Sequence, residues 1–294
     1  MNYEIALFFI FLQTYREQRT LLPVRKNIML QIYQKLKRSV DTLYHIFGLK
    51  QYEHTKGRKP ALSVREGLSL GLYKQSRGSV TKKSVYDDLS GILKCSYKTF
   101  VTTINRYARI VAFILIALMK KSRGIAHIIK HIDATDIPVC LNKNASRHRT
   151  MRLLSAWGRS GKGFYFGLKL HLVADLSGNL LGFCFTPANV DDRKPVKQLI
   201  DDMEGIFIAD AGYILEQLAH DLCIEGKRIF MARAKKNMKQ LMSRVQQKLY
   251  DTRMLIEQNF RSMKMFFGLV TSLPRSADGY LGNYLYTLLA YVLR

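Results

Sequence analysis

Apolar residues recur along this chain at two different spacings, and the change from one to the other divides it. Up to about residue 121 the spacing is three or four, the period of a helix buried on one side. Residues 2–18 and roughly 25–47 predict two helices parted by Pro23, and the pair Ser63 and Glu66 forms a capping-box pattern opening a helix to about Tyr73. Ser84 begins a similar pattern for a helix to about Leu93, and Ser96 opens a long one to about Lys121. From about residue 128 the period becomes two. Residues 128–141 are rich in β-branched and apolar side chains, and 164–175 alternate over twelve positions, a strong strand signal. A turn at 176–179 and a strand at 180–186 complete a hairpin. Strands at 205–209 and 227–234 then alternate with helices at about 194–203 and 213–224, and two further helices follow, one over 250–264 and one ending at Arg294. Three strands followed by βαβ alternation predict an α/β domain with a mixed sheet over 125–294, behind an all-helical region over 1–121.

Composition adds a partner. The 294 residues are 48% hydrophobic, enough for a substantial core, and carry 47 Lys and Arg against 22 Asp and Glu. A net charge of +25 points to a polyanion, nucleic acid first and an anionic membrane surface second. Residues 1–121 are the more basic part, with 22 basic and 7 acidic side chains. Three helices with short connections there resemble a helix-turn-helix, with Lys98, Thr99, Thr102, Thr103 and Arg106 early on its last helix, where base and phosphate contacts are made. Gly57-Arg58-Lys59-Pro60 resembles a minor-groove hook. Cys95, Cys140, Cys184 and Cys223 form no Cys-x-x-Cys pair, which argues against a zinc ribbon and for reduced thiols in the cytoplasm. The apolar run 5–12 lacks a basic start and a cleavage site, and the run 110–119 is too short to span a bilayer, so no membrane segment is expected. Residues 142–163 read as a basic, glycine-bearing loop near DNA, without the spacing of a phosphate-binding P-loop; the only tryptophan, Trp157, could stack on a base but reads rather as a core anchor at the loop's end.

Candidate chemistry lies in three acids. Asp210 stands where the 205–209 strand gives way to a glycine turn, the usual place for a functional group in an α/β sheet. Asp133 lies in the first strand, and Asp136 points to the opposite face by parity. Glu257 lies on the 250–264 helix, where Tyr250, Arg253, Glu257, Arg261 and Lys264 share one face beside an apolar stripe of Ile256, Phe260, Met263 and Phe267. Three carboxylates from two strands and a helix suit a pair of Mg²⁺ ions acting on a phosphodiester. Arg253 and Lys264 would then contact phosphate, with Tyr250 positioning the helix.

The spacing Tyr250-x2-Arg253-x3-Glu257-x6-Lys264 resembles the signature around the third acid in one branch of the insertion-sequence DDE transposases. Ile132-Asp133-Ala134-Thr135 is similar to the family's first block, and Asp210-Ala211-Gly212-Tyr213 to its Asp-x-Gly-Tyr. Lys169, His171, Asn189, Asp191 and Asp192 also fall in blocks that look like the family's. The resemblance implies an RNase H-like fold, with Asp133, Asp210 and Glu257 holding two Mg²⁺ or Mn²⁺ ions. It implies hydrolysis at each element end, transfer of the freed 3′-hydroxyl into target DNA, and a homodimer on paired double-stranded ends. DNA-phosphate contacts are expected from Tyr250, Arg253, Arg261, Lys264, Lys169, His171, Lys98 and Arg106. Two rivals stand beside this reading. One is an RNase H-like nuclease that cuts without joining, and the other a catalytically decayed DNA-binding repressor.

Overall fold

The structure, a computed structural model, describes residues 27–53, 57, 59–78, 81–213, 227–232 and 243–294. The helix expected at 2–18 and nearly all of the one at about 213–224 lie outside the described residues, as does Arg58 of the Gly57–Pro60 hook. The chain forms two compact units, one of Met1–Lys74 with Ser79–Tyr107, the other of Gln75–Gly78 with Ala108–Arg294.

The first unit is helical. Helix α1 covers 27–46, α2 is Val64–Ser76, α3 is Lys82–Asp88, and α4 is Tyr97–Arg123, which continues into the second unit. The capping box forms as expected: Ser63 N–H donates to Glu66 Oε2 at 2.9 Å and Glu66 N–H to Ser63 Oγ at 3.2 Å. Helix α3 starts two residues before the predicted Ser84, because Thr81 accepts from the Ser84 N–H and so is the cap, and it ends at Asp88, short of Leu93. A Cβ on Gly67 would stand 2.4 Å from the Tyr107 ring, so only glycine lets α2 press that closely on α4. By length and composition alone α4 could cross a membrane, although the run 110–119 had looked too short. Yet Val111, Ile114, Leu115 and Met119 form a buried stripe at helical spacing, as in the core helix of a soluble protein.

The second unit is the expected α/β domain with a mixed sheet. Its strands are β1 Ile129–Pro138, β2 Ala156–Ser160, β3 Gly163–Asp175, β4 Leu180–Pro187, β5 Gly205–Ala209 and β6 Arg228–Ala232, in the order β2-β3-β1-β5-β6 with β4 also on β3. Strand β3 runs antiparallel to β1, β2 and β4, whereas β5 runs parallel to β1 and β6. One sheet face packs Ile132, Val173, Phe207 and Tyr213 on the short helix α5, Val196–Leu199. That helix is shorter than the 194–203 expected. The other face meets the C-terminal helices. Phe185 packs on Tyr284 at 5.6 Å, and Tyr280 donates to Val139 O at 2.9 Å. Two expectations change. Residues 156–160, read as loop, form β2, because β3 extends far enough to pair with them. Trp157 is 49% exposed and so is no core anchor.

The helix expected over 250–264 is two helices, α6 Arg244–Asp251 and α7 Met254–Phe266, with α8 Ala277–Val292 after them. Ser243 opens α6 with its own capping box. Thr252 Oγ1 donates to Leu249 O at 2.6 Å and also meets His131 Nε2 at 2.8 Å. That hydroxyl has a single proton, which goes to the carbonyl, so His131 Nε2–H is the donor in the second bond. A threonine bonding back to the preceding turn bends a helix, and the tie to β1 fixes the bend. Ile256, Phe260 and Met263 are buried as their spacing predicts.

Candidate active site

Strand pairing sets the first two acids side by side. Ile132 pairs with Ala209 in the parallel ladder, so the next residue of each strand or its extension, Asp133 and Asp210, are neighbours. Asp133 lies opposite Leu172 and Asp136 opposite Lys169, so the two face opposite ways, as parity predicts. The break between α6 and α7 then brings Arg253 onto them. Its guanidinium lies 2.9 Å from Asp133 Oδ2, 3.8 Å from Asp210 Oδ1 and 2.7 Å from Glu257 Oε1. One planar group spans all three acids, which therefore converge on a space its own size. Tyr250 Oη donates to Asp210 Oδ1 at 3.0 Å, and the Ala134 N–H to Asp133 Oδ1 at 2.8 Å.

The site is closed at its base and open above. The Asp133 and Arg253 side chains are 16% and 15% exposed, against 46% for Asp210 and 57% for Glu257. Burial pushes the Asp133 carboxyl up to about 6, Asp210 adding to the rise, while Arg253 and the Ala134 N–H pull the other way. Burial opposes the charge on Arg253, but Asp133, Asp210, Tyr250 and Glu257 outweigh it and raise its pKa. Burial and the Arg253 charge hold His131 down at about 4, so it is neutral. Burial, with Asp133, Asp192 and Asp210 adding to it, raises the Tyr213 phenol, whose buried hydroxyl has no hydrogen-bond partner among the described residues.

The remaining predicted residues lie around this cluster or away from it. Lys264 Nζ pairs with Asp136 at 2.9 Å. Lys169 Nζ pairs with Asp192 at 2.8 Å and bonds Val190 O at 2.9 Å. His171 is buried against Thr186 Oγ1 at 2.8 Å, and burial holds it down at about 4. Arg261 is exposed on α7. Lys98 and Arg106 are exposed on the part of α4 that belongs to the helical unit. Sequence reasoning missed the His131–Thr252 tie. Its signals were present: His131 shares the face of Asp133 by period two, and a threonine inside a predicted helix marks a bend.

As the side chains stand, no three His, Cys, Asp or Glu among the described residues form a metal-binding group. Arg253 stands between the three acids. The donor set nevertheless fits a hard divalent cation, being all carboxylate oxygen, and a cationic group already fills the centre of it.

The domain is α/β, with one acid within β1, one just past the end of the adjacent β5 and one on helix α7. The family described as Transposase DDE domain matches residues 123–276. The chain belongs to that family; it is a transposase, an enzyme that acts on and binds DNA. No curated protein matches it.

Proposed function

We propose that this transposase cuts the ends of an insertion sequence and joins the freed 3′-hydroxyls to target DNA, using Asp133, Asp210 and Glu257 as its catalytic acids. The observation that carries the reading is the convergence of these three carboxylates on the Arg253 guanidinium. Four strands joined by antiparallel pairing, followed by two that continue the sheet in parallel, with Asp133 within β1 and Asp210 just past the adjacent β5, support an RNase H-like fold. The three acids would hold two Mg²⁺ or Mn²⁺ ions. Ions held there would activate a water, then a 3′-hydroxyl, as nucleophile and would stabilise the leaving oxygen of a phosphodiester. Arg253 would leave the acids for a DNA phosphate, a group its fork fits as well as it fits carboxylate. Tyr250, whose hydroxyl donates to Asp210, would hold that acid in place beside the cut strand. Lys264, Arg261 and Lys169 would add positive charge along that strand, with His171 as a neutral support behind it. The helical unit would bind the element ends through Lys98 and Arg106, in helix-turn-helix manner. Two copies would act on paired ends, in the cytoplasm, on the chromosome.

Glu257→Gln tests the reading. Removing one charge from an exposed position leaves the fold intact, so end binding should stay within about twofold while strand cleavage falls by a factor of at least 10³, the scale of losing a group that acts at the transition state. Cleavage by the variant at the wild-type rate would remove Glu257 from the catalytic set.

A further inference from the structure

We propose that the β2–β3 hairpin is a DNA arm, on which Trp157 and Phe164 stack against unstacked bases of the strand held at the acid site. The proposal rests on the reading of Asp133 given above and extends it to a second contact. Trp157 lies opposite Phe166 and Arg159 opposite Phe164, and directly opposed residues share a face. Leu172, opposite Asp133, is on that same face of β3. One face of β3 therefore carries Leu172, level with the first acid, near one end and the aromatic residues at the other; Leu168, Leu170 and Leu172 are buried, and only the hairpin end of that face is open.

The aromatic residues open to solvent along that line. Phe166 is buried, with its ring 5.8 Å from Trp157 and 6.4 Å from His148. Trp157 is 49% exposed and Phe164 66%, with the Arg159 guanidinium 5.7 Å from the Phe164 ring centre. The reverse side is closed, since a Cβ on Gly158 would stand 2.7 Å from Ala188 and Tyr165 is buried. Large aromatic residues left open on one side of a short hairpin have no packing explanation within the described residues.

Charge selects the partner. Between Asp136 and Asp175 the sequence contains no acid. Lys143, Arg147, Arg149, Arg152, Arg159 and Lys162 are all exposed in that interval, and among the described residues none of them meets a carboxylate. A positive, acid-free surface with open aromatic faces is the combination that binds single-stranded nucleic acid, phosphates on the cations and bases on the rings. Distance agrees. At about 3.3 Å per residue, β3 carries Phe166 and Phe164 roughly 20 and 26 Å from the level of Asp133. At about 3.4 Å per nucleotide, the advance of a stacked strand, that distance spans some six to eight positions from the scissile phosphate, and fewer where the strand is unstacked and extended.

Trp157 is the only tryptophan, so the emission of the full chain reports this site alone. The measurement uses the Glu257→Gln chain, which blocks cleavage, titrated with a single-stranded oligothymidine 20-mer and, separately, with a fully paired duplex. Single strands should quench the emission and shield it from acrylamide. Trp157→Ala should weaken single-strand binding about tenfold, with little effect on the duplex and no change in salt slope, and Trp157→Phe should restore most of the loss. Lys162→Gln should instead make the salt slope shallower. Bound oligonucleotide with unaltered emission, or equal affinity for Trp157→Ala, would overturn the proposal. So would phosphatidylserine vesicles that shift the emission to the blue and displace the DNA, because the hairpin, with Leu153 97% exposed beside it, would then be a membrane-surface contact. Failure of the acid-site reading shows separately, as unimpaired cleavage by Glu257→Gln in which stacking is not involved.

Discussion

Arg253 reaches three carboxylates at once because a guanidinium is a planar fork with donors on two ends; a lysine at that position would reach only one or two of them. Removing it would leave Asp133 as an unpaired, largely buried charge, the costly half of a broken ion pair. The raised pKa of Asp133 gives a pH signature. Its folded value is about 6 against an ordinary 3.8, so between these values the folded chain holds a proton that the unfolded chain has lost. Its contribution to stability therefore declines as pH rises through that window, and the full cost, of the order of 3 kcal/mol, stands above about pH 6. A divalent ion needs the ionised carboxylate, so Mn²⁺ affinity should fall as pH drops below about 6, by roughly tenfold per unit. Isothermal titration between pH 7.5 and 5 reads this. Affinity flat to pH 4.5 would mean that Asp133 titrates normally or takes no part. At this scale the sequence was informative. Motif spacing and parity picked out Asp133, Asp210 and Glu257, whereas the placement of Arg253 between them depends on a bend that spacing alone does not disclose.

The bend is a property of elements. A helical period running through 250–264 predicted one helix; of its polar face, Tyr250, Arg253 and Glu257 meet at the acids, Lys264 pairs with Asp136, and Arg261 is exposed. The period continued because α6 and α7 keep nearly the same phase across Thr252 and Arg253. What separates them is a side chain on another element, His131 in β1. Long-range hydrogen bonds of this kind leave no periodic trace. Strands were read well where alternation was long, as in β3, and missed in β2, which has five residues, one of them a glycine, and owes its conformation to pairing with β3. Thr252→Val should leave the His131 Nε2–H without an acceptor in a dry position and destabilise the second unit by about 1–3 kcal/mol. Thr252→Ser should recover most of that. Denaturant midpoints with unchanged slope would measure it, and a valine variant as stable as wild type would show that the tie does not hold the helices.

For the whole molecule, charge and fold divide the labour. The sheet unit carries the acids, and the excess of cations throughout the chain supplies sequence-independent grip on a polyanion. Composition showed that excess, and the family match at residues 123–276 gives it a partner. The central claim is that Asp133, Asp210 and Glu257 together hold divalent ions for chemistry on DNA. The direct measurement is electron paramagnetic resonance of Mn²⁺ titrated into the full chain bound to DNA carrying a free 3′-hydroxyl end. Two bound ions per chain are predicted, closely spaced enough to couple magnetically, with Asp210→Asn abolishing the coupled pair. A wild-type complex that binds the DNA and takes up no Mn²⁺ would contradict the account.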